Sequence, residues 1–253
     1  MRTTVVTGAA SGIGAAVRAR LETAGERVLG IDLRDAEVIA DLARPEGRTA
    51  AAAEIRRACN GRLDGVVACA GIGPHVDPAA AIVSLDYFGA VATLADLRDA
   101  LAAGERPAAV AVSSNSSSLP GADGPIVRSC LAADEDRARQ LADELGGHAA
   151  YAGAKRALAL WVRRNAPAWA AAGIRLNAVA PGAVVTPLLR GGLDHAVFGP
   201  AIRGFPIPTG GFGTADQIAA AIAFLLGPDA AFCCGSVFFV DGGSDALLRP
   251  DDY

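Results

Sequence analysis

Tyr151 and Lys155 stand four residues apart in Tyr151-Ala152-Gly153-Ala154-Lys155. On a helix that spacing sets a phenol and an ammonium on one face, one turn apart. A phenol with an ordinary pKa of about 10 must lose about 3 units, or roughly 4 kcal/mol, to act as a base near neutral pH. A cation about 4.5 Å away at an effective dielectric of about 20 supplies roughly 3 to 4 kcal/mol. Lys155 is therefore nearly sufficient to make Tyr151 a proton carrier; the alternative is a solvated helix face. Ser113-Ser114 follow the apolar run Ala109 to Val112, which puts hydroxyls at the carboxyl end of a strand. In an open parallel sheet that edge is where ligands bind, so Ser114 can hold a substrate oxygen while Tyr151 moves the proton.

A second chemistry lies at the start of the chain. Thr7-Gly8-Ala9-Ala10-Ser11-Gly12-Ile13-Gly14 joins the apolar run Thr3 to Val6 to the helix-favouring stretch Ala15 to Ala24, reading as strand, glycine turn and helix start. Gly8, Gly12 and Gly14 fall where the turn tightens, where a pyrophosphate can lie against the backbone, and where the helix packs on its strand. The free N–H groups of the helix start then face the phosphates. An ordinary strand-to-helix connection is the alternative. Asp32 ends the second strand, about twenty residues beyond the turn, where a carboxylate accepts hydrogen bonds from ribose hydroxyls and repels the extra phosphate of NADP. The spacing points to NAD, with a helix-capping Asp as the alternative and Arg34 close enough to soften the charge argument.

These groups need a scaffold, and the chain provides one. Further strands are expected at Arg27 to Ile31, Asp64 to Cys69, Ala108 to Val112, Ile174 to Val179 and Ser236 to Val240. Between them lie helical stretches such as Pro78 to Leu101, Tyr151 to Ala172 and Ala215 to Leu226. Alternating strands and helices mean right-handed crossovers and a parallel sheet covered on both faces. With 253 residues and no linker or repeat, residues 1–253 read as one α/β domain. Aromatics make up only 5% against 52% hydrophobic residues, so the core must rest on Ala, Val, Leu and Ile. A net charge of −4 gives no electrostatic reason to expect nucleic acid. No apolar run reaches membrane-spanning length and Met1-Arg2 lead straight into a strand, so a soluble cytoplasmic protein is expected.

Five cysteines, at 59, 69, 130, 233 and 234, show no metal-ligand spacing and read as buried thiols. His75, His148 and His195 are scattered and read as surface or loop residues, so no metal is expected. Two stretches break the rhythm of the chain. One, about 115–150, carries Ser116-Ser117-Ser118, Pro120-Gly121 and a charged helix around Ile126 to Leu145, closed by Gly146-Gly147. The other, about 183–212, is rich in Gly and Pro yet carries Leu188, Leu189, Val197, Phe198, Phe205 and Ile207, a composition suited to a mobile apolar lid over a pocket.

Taken together, Thr7 to Gly14, Asp32, Ala70-Gly71, Ser114, Tyr151, Lys155, Pro181-Gly182 with Thr186, and Asp241-Gly242-Gly243 resemble the short-chain dehydrogenase/reductase family over nearly the whole chain. Within it, Gly30 to Leu42, the long Ser-to-Tyr insertion, Asn177 to Ala183 and Leu248-Arg249-Pro250 resemble the bacterial 3α-hydroxysteroid dehydrogenase/carbonyl reductase branch. The resemblance implies a Rossmann-type doubly wound parallel sheet and NAD-dependent interconversion of a secondary alcohol and a ketone. The implied substrate is a bulky apolar one, a 3α-hydroxysteroid; a coniferyl-type aromatic alcohol is the rival, and a non-catalytic NAD-binding sensor is the reading of another class.

The resemblance also implies roles. Tyr151 is then the general acid/base, Lys155 lowers its pKa and binds the nicotinamide ribose, and Ser114 hydrogen-bonds the substrate oxygen. Gly8, Ser11, Gly12, Ile13 and Gly14 hold the pyrophosphate, Asp32 the ribose, Asp41 and Leu42 the adenine, Ala70 and Gly71 the cofactor's ribose. Pro181, Gly182 and Val184 also bind the cofactor, and Thr186 meets its carboxamide.

Two positions depart from the family pattern. Ala68-Cys69-Ala70-Gly71 stands where Asn-Asn-Ala-Gly is usual, so the supporting side-chain hydrogen bonds must come from elsewhere. Asp86 stands at the fourth catalytic position, usually Asn. Its backbone carbonyl can serve as the Asn carbonyl does, while its carboxylate can also pair with Lys155 and weaken the effect on Tyr151. The insertion implies a homodimer through a surface other than the one it covers. Ile126, Val127, Cys130, Leu131, Leu141 and Leu145 offer an apolar stripe for the partner or for the domain itself.

Overall fold

In the computed structural model, residues 1–119 and 122–252 are described; Pro120 and Gly121 of the first irregular stretch lie outside them. Short runs of Val, Ile, Leu and Ala, too apolar to face water on either side, form strands that are covered on both faces. They are β1 (Thr3–Thr7), β2 (Arg27–Asp32), β3 (Val38–Ile39), β4 (Gly65–Ala68), β5 (Ala108–Val112) and β6 (Arg175–Pro181). After the two-residue strands β7 (Val184–Val185) and β8 (Gly213–Thr214), which pair with each other, β9 (Val237–Val240) completes the main sheet. The seven main strands run in the order β3-β2-β1-β4-β5-β6-β9, all parallel.

One face of the sheet is covered by α1 (Gly12–Thr23) and by the helix Ala215–Leu226, through Val17, Leu21, Ile218 and Ile222. The other face is covered by α2 (Pro45–Ala58), a broken helix over 80–102, and the long helix Gly147–Ala171, through Ile55, Leu94, Leu101 and Leu158. Because β1 has β2 on one side and β4 on the other, the chain leaves it in opposite directions, and a crevice opens at the carboxyl ends of β1 and β4. Every residue with proposed chemistry lies at that edge or just behind it.

The expected strands agree with the observed ones within two residues at each end, and the two-residue strands β3, β7 and β8, together with α2, are additions. Where one helix was expected from Pro78 to Leu101, the chain makes α3 (Ala80–Val83), a wide π-helical turn (Ser84–Gly89), α4 (Ala90–Asp96) and α5 (Arg98–Ala102). A π-helical turn adds a residue to the helical ladder and is often found at functional sites. Here it carries Asp86.

The expected single helix around Ile126 to Leu145 is two, α6 (Pro125–Leu131) and α7 (Glu135–Leu145). Ala133 takes a positive φ of 59°, and the Asp134 carboxylate caps the second helix by accepting from the Arg137 N–H. Ile126, Val127, Cys130 and Leu141 are buried in the domain's own core and Leu131 packs against it. Of the expected stripe only Leu145 is exposed, so the insertion folds back onto the domain through a face that a partner cannot reach. Gly146 then turns the chain into α8 (Gly147–Ala171), α9 (Pro187–Asp194) and α10 (Phe198–Gly204) follow β6, and α11 (Ala215–Leu226) and α12 (Ser244–Leu248) close the chain.

Arg48, which drew no attention in the sequence, ties the elements around the crevice together. Its Nε donates to the Leu42 carbonyl at 2.8 Å, and its Nη2 donates to the carbonyls of Ala43 at 3.1 Å and Ser84 at 2.8 Å. The same guanidinium grips Glu135 of α7 with two bonds of 2.7 and 2.8 Å. One buried side chain thus joins the Asp41–Ala43 loop, the π-helical turn and the insertion. Arg48→Met is expected to cost about 3 kcal/mol, since it orphans buried carbonyls and a carboxylate at once. Urea unfolding would register this as a lower midpoint at unchanged m-value; an unchanged midpoint would mean the network contributes nothing net.

Candidate active site

The turn after β1 owes its path to its glycines. Gly8 and Gly12 take positive φ of 69° and 54°, and a Cβ on Gly14 would lie 2.1 Å from the Gly8 carbonyl oxygen. No side chain fits there, so α1 starts directly against the strand end. Asp32 braces the turn from the next strand, its Oδ2 accepting from the Ala10 N–H at 2.9 Å and its Oδ1 from the Leu33 N–H at 2.7 Å. Across the crevice, Thr7 Oγ1 accepts from the N–H groups of both Cys69 and Ala70 at 2.9 Å. Thr7 supplies side-chain support to the Ala-Cys-Ala-Gly segment.

At the end of β5 the two serines divide their work. Ser113 Oγ donates to the Lys155 carbonyl at 2.9 Å, and Lys155 Nζ donates back to the Val112 carbonyl at 3.1 Å, clamping strand end to α8. Ser114 remains to face the crevice, its Oγ accepting from the Ser116 N–H at 3.2 Å. Tyr151 rises beside it from the first turns of α8, with Lys155 Nζ 5.7 Å from its ring centroid.

Behind Lys155 lies Asp86, with no exposed surface. Its Oδ1 accepts from the Ile72 N–H at 2.9 Å and its Oδ2 lies 3.2 Å from Lys155 Nζ. Burial disfavours the Lys155 ammonium, but Asp86 and Tyr151 more than offset this and hold its pKa above the ordinary value. Burial likewise raises the Asp86 carboxyl, against the pull of Lys155 and the Ile72 N–H. Tyr151 differs from the expectation that Lys155 would bring its pKa close to neutral. Burial pushes its phenol up, Asp86 adds to the rise, and Lys155 with Ser114 offsets only part of it. The Asp86 carboxylate has taken up much of the lysine's charge.

A cavity of 340 Å³ joins these groups. Gly8, Ser11, Gly12, Ile13 and Gly14 line one end, Ala70, Gly71, Pro181, Gly182, Val184 and Thr186 its middle, and Ser114, Tyr151 and Lys155 the far side. Asp32, Asp41 and Leu42 lie outside that lining. Leu42 is buried, and Asp41 keeps 44% of its side chain exposed.

The stretch after β7 folds as α9 and α10, with Thr186 Oγ1 capping the first by accepting from the Leu189 N–H. Leu188, Leu189, Ala201, Ile202, Phe198 and Phe205 wall the cavity. Val197 points to solvent instead, and Ile207 packs near Gly242.

His148, expected at the surface or in a loop, is exposed but lies on α8, one turn before Tyr151, and lines the cavity. His195 caps α10 through Nδ1, and His75 sits partly buried under Gly191 of α9. Among the cysteines, Cys59 and Cys130 are buried as expected, whereas Cys234 is exposed. Cys69 lines the cavity, but burial pushes its thiol up to about 12, which leaves it unreactive.

Comparison with known proteins agrees with this architecture. A family model described as enoyl-(acyl carrier protein) reductase matches residues 8–245. The 3-alpha-hydroxysteroid dehydrogenase/carbonyl reductase of Comamonas testosteroni is 44% identical over 98% of both chains. Coniferyl-alcohol dehydrogenase of Pseudomonas sp. (strain HR199 / DSM 7063) is 30% identical over 94% of both. The crystal structure of the 3-alpha-hydroxysteroid dehydrogenase from Pseudomonas sp. B-0831 complexed with NADH superposes with a TM-score of 0.98 at 47% identity, covering 99% of this chain and 100% of that one. With a glycine turn at the switch point of a parallel sheet and Ser, Tyr and Lys converging beyond it, the chain belongs to the short-chain dehydrogenase/reductase family.

Proposed function

We propose that the protein interconverts a bulky apolar secondary alcohol, a 3α-hydroxysteroid, and the matching ketone, with NAD as redox partner. The observation that carries this reading is one cavity holding the glycine turn at one end, Ser114, Tyr151 and Lys155 at the other, and an apolar wall from α9 and α10. The likeness to two 3-alpha-hydroxysteroid dehydrogenases, one bound to NADH, supports substrate class and cofactor.

The residues present fit a dinucleotide. A Cβ would fill the turn at Gly14, and the start of α1 lies against the cavity with its first N–H groups free for an anion. When bound, NAD accepts the hydride from the carbinol carbon and NADH returns it to the carbonyl carbon. Ser114 Oγ then donates a hydrogen bond to the substrate oxygen. Tyr151 Oη takes the hydroxyl proton in oxidation and gives it in reduction, so proton and hydride together balance the reaction. Lys155 stabilises the phenolate formed in oxidation, and the walls of α9 and α10 keep water from the reacting carbon.

Reduced-cofactor formation by purified protein with NAD, and separately with NADP, on an apolar secondary alcohol tests this reading; no turnover with either would sink it. Asp32→Ala is expected to narrow the preference for NAD by about tenfold or more through loss of a ribose acceptor and of a charge facing the added phosphate. An unchanged ratio would show that Asp32 serves only the turn.

Residues 1–253 are taken as one domain, with the insertion at about 115–150 and the lid at about 183–212. The protein is further read as a cytoplasmic homodimer. Exposed Phe224 and Phe238, 6.4 Å apart between ring centroids on α11 and the edge strand β9, support a pairing surface well away from the insertion. Five free cysteines accord with a reducing compartment. Among the described residues no helix is long and apolar enough to cross a membrane.

A further inference from the structure

We infer that Asp86 is a positioning residue: its buried carboxylate neutralises Lys155 from within the Ser84–Gly89 turn and so keeps Tyr151 in the phenol form, the form that delivers a proton to a carbonyl. The inference rests on the alcohol/ketone reading of the site and adds a direction to it.

The geometry leaves Asp86 little else to do. It has no exposed surface, one carboxylate oxygen is committed to the Ile72 N–H, and the other has no aligned donor but lies 3.2 Å from Lys155 Nζ. Lys155 in turn is almost wholly buried and its other bond runs to the Val112 carbonyl, so no water-facing partner shares its charge. A Cβ on Gly71 would meet Lys155 Nζ at 3.2 Å and Asp86 Oδ1 at 3.3 Å. The pair is thus packed directly against the cavity floor.

An ammonium matched by a carboxylate presents no net charge to the phenol, so forming the phenolate gains far less than it would beside a lone cation. The remaining ionisable groups near Tyr151 do not supply the missing charge. His148, on its own helix, sits exposed at the mouth, and Cys69, after β4, stays a thiol. Ser114, after β5, is neutral, and Ser11 to Gly14 with the α9 and α10 walls contribute no charged side chain to the lining. At neutral pH the resting site therefore holds a proton ready for a ketone, and alcohol oxidation speeds up as the pH rises.

The test replaces the carboxylate by an amide of the same shape, Asp86→Asn, with Asp86→Ser as a second neutral variant and thermal unfolding to show that both are folded. Two titrations are compared: kcat/KM for alcohol oxidation against pH, and the near-ultraviolet phenolate absorbance, taken as the difference between each protein and its Tyr151→Phe counterpart. Both midpoints are expected to fall by about 1 pH unit or more in the variants, so that oxidation near neutral pH rises about tenfold. Midpoints that stay in place in both folded variants overturn the inference, whatever the turnover. A lowered phenolate midpoint in a protein that oxidises no alcohol would support the electrostatic role of Asp86 and sink the oxidoreductase reading instead.

Discussion

Tyr151→Phe is expected to lower kcat/KM for alcohol oxidation by about 10²- to 10⁴-fold, the usual worth of a positioned acid/base, while NADH affinity stays within about threefold, under 1 kcal/mol. The substitution removes one oxygen and keeps the ring, along with its packing over Lys155 at 5.7 Å. Ser114 cannot take over, because an unassisted serine hydroxyl is a far weaker acid than a phenol and binds the substrate oxygen rather than exchanging its proton. The glycine turn lies at the other end of the cavity, Thr186 in its middle and Asp32 outside its lining, so the substitution leaves all three untouched. Initial rates and titration of NADH fluorescence separate the two effects. Retained turnover would remove Tyr151 from the chemistry; lost NADH binding would make its hydroxyl a structural group.

The second large effect concerns stability. Lys155→Met is expected to abolish turnover and also to cost about 3 to 5 kcal/mol, because Asp86 would be left as a buried charge with only the Ile72 N–H to answer it. Adding Asp86→Asn is expected to recover most of that stability and none of the activity, so the two substitutions would be strongly non-additive.

The pH dependence of the single variant has a definite sign. Burial already raises the Asp86 carboxyl, and removing Lys155, which holds it down, raises it further. The folded state then binds a proton that the unfolded chain has lost, so the single variant gains relative stability as pH falls through the raised carboxyl pKa and is weakest at alkaline pH. Urea midpoints across pH check both points. A cost near 1 kcal/mol with no recovery in the double variant would mean that the pair behaves as an exposed one.

Most of the groups that bear chemistry were legible in the sequence because they follow strand ends, where a parallel sheet must gather them, while Tyr151 and Lys155 were marked by helical spacing. The turn after β1, Ala70-Gly71 after β4, Ser114 after β5 and Pro181-Gly182 after β6 meet in one cavity with Tyr151, Lys155 and Thr186. What local pattern could not carry was tertiary. The break in α3 to α5 is a π-helical turn whose residues are helical in composition, and its consequence, an acid buried against Lys155, depends on a partner 69 positions away, from 86 to 155. Arg48 looks like any charged residue of an exposed helix until the carbonyls of Leu42, Ala43 and Ser84 converge on it. The apolar stripe of the insertion was visible, but whether domain or partner would cover it turned on how α6 and α7 dock against α8. His148 read only as a surface or loop residue because its spacing to Tyr151 acquires meaning once the cavity is formed.

The measurement that bears most directly on the central claim is NADH formation from NAD by purified protein, run in parallel on a 3α-hydroxysteroid, its 3β epimer and coniferyl alcohol. Turnover confined to the 3α epimer is the result expected if the likeness to two 3-alpha-hydroxysteroid dehydrogenases extends to substrate and stereochemistry. Turnover on coniferyl alcohol alone would contradict the substrate assignment, and silence on all three with NADH still bound would contradict the proposed steroid dehydrogenase activity itself.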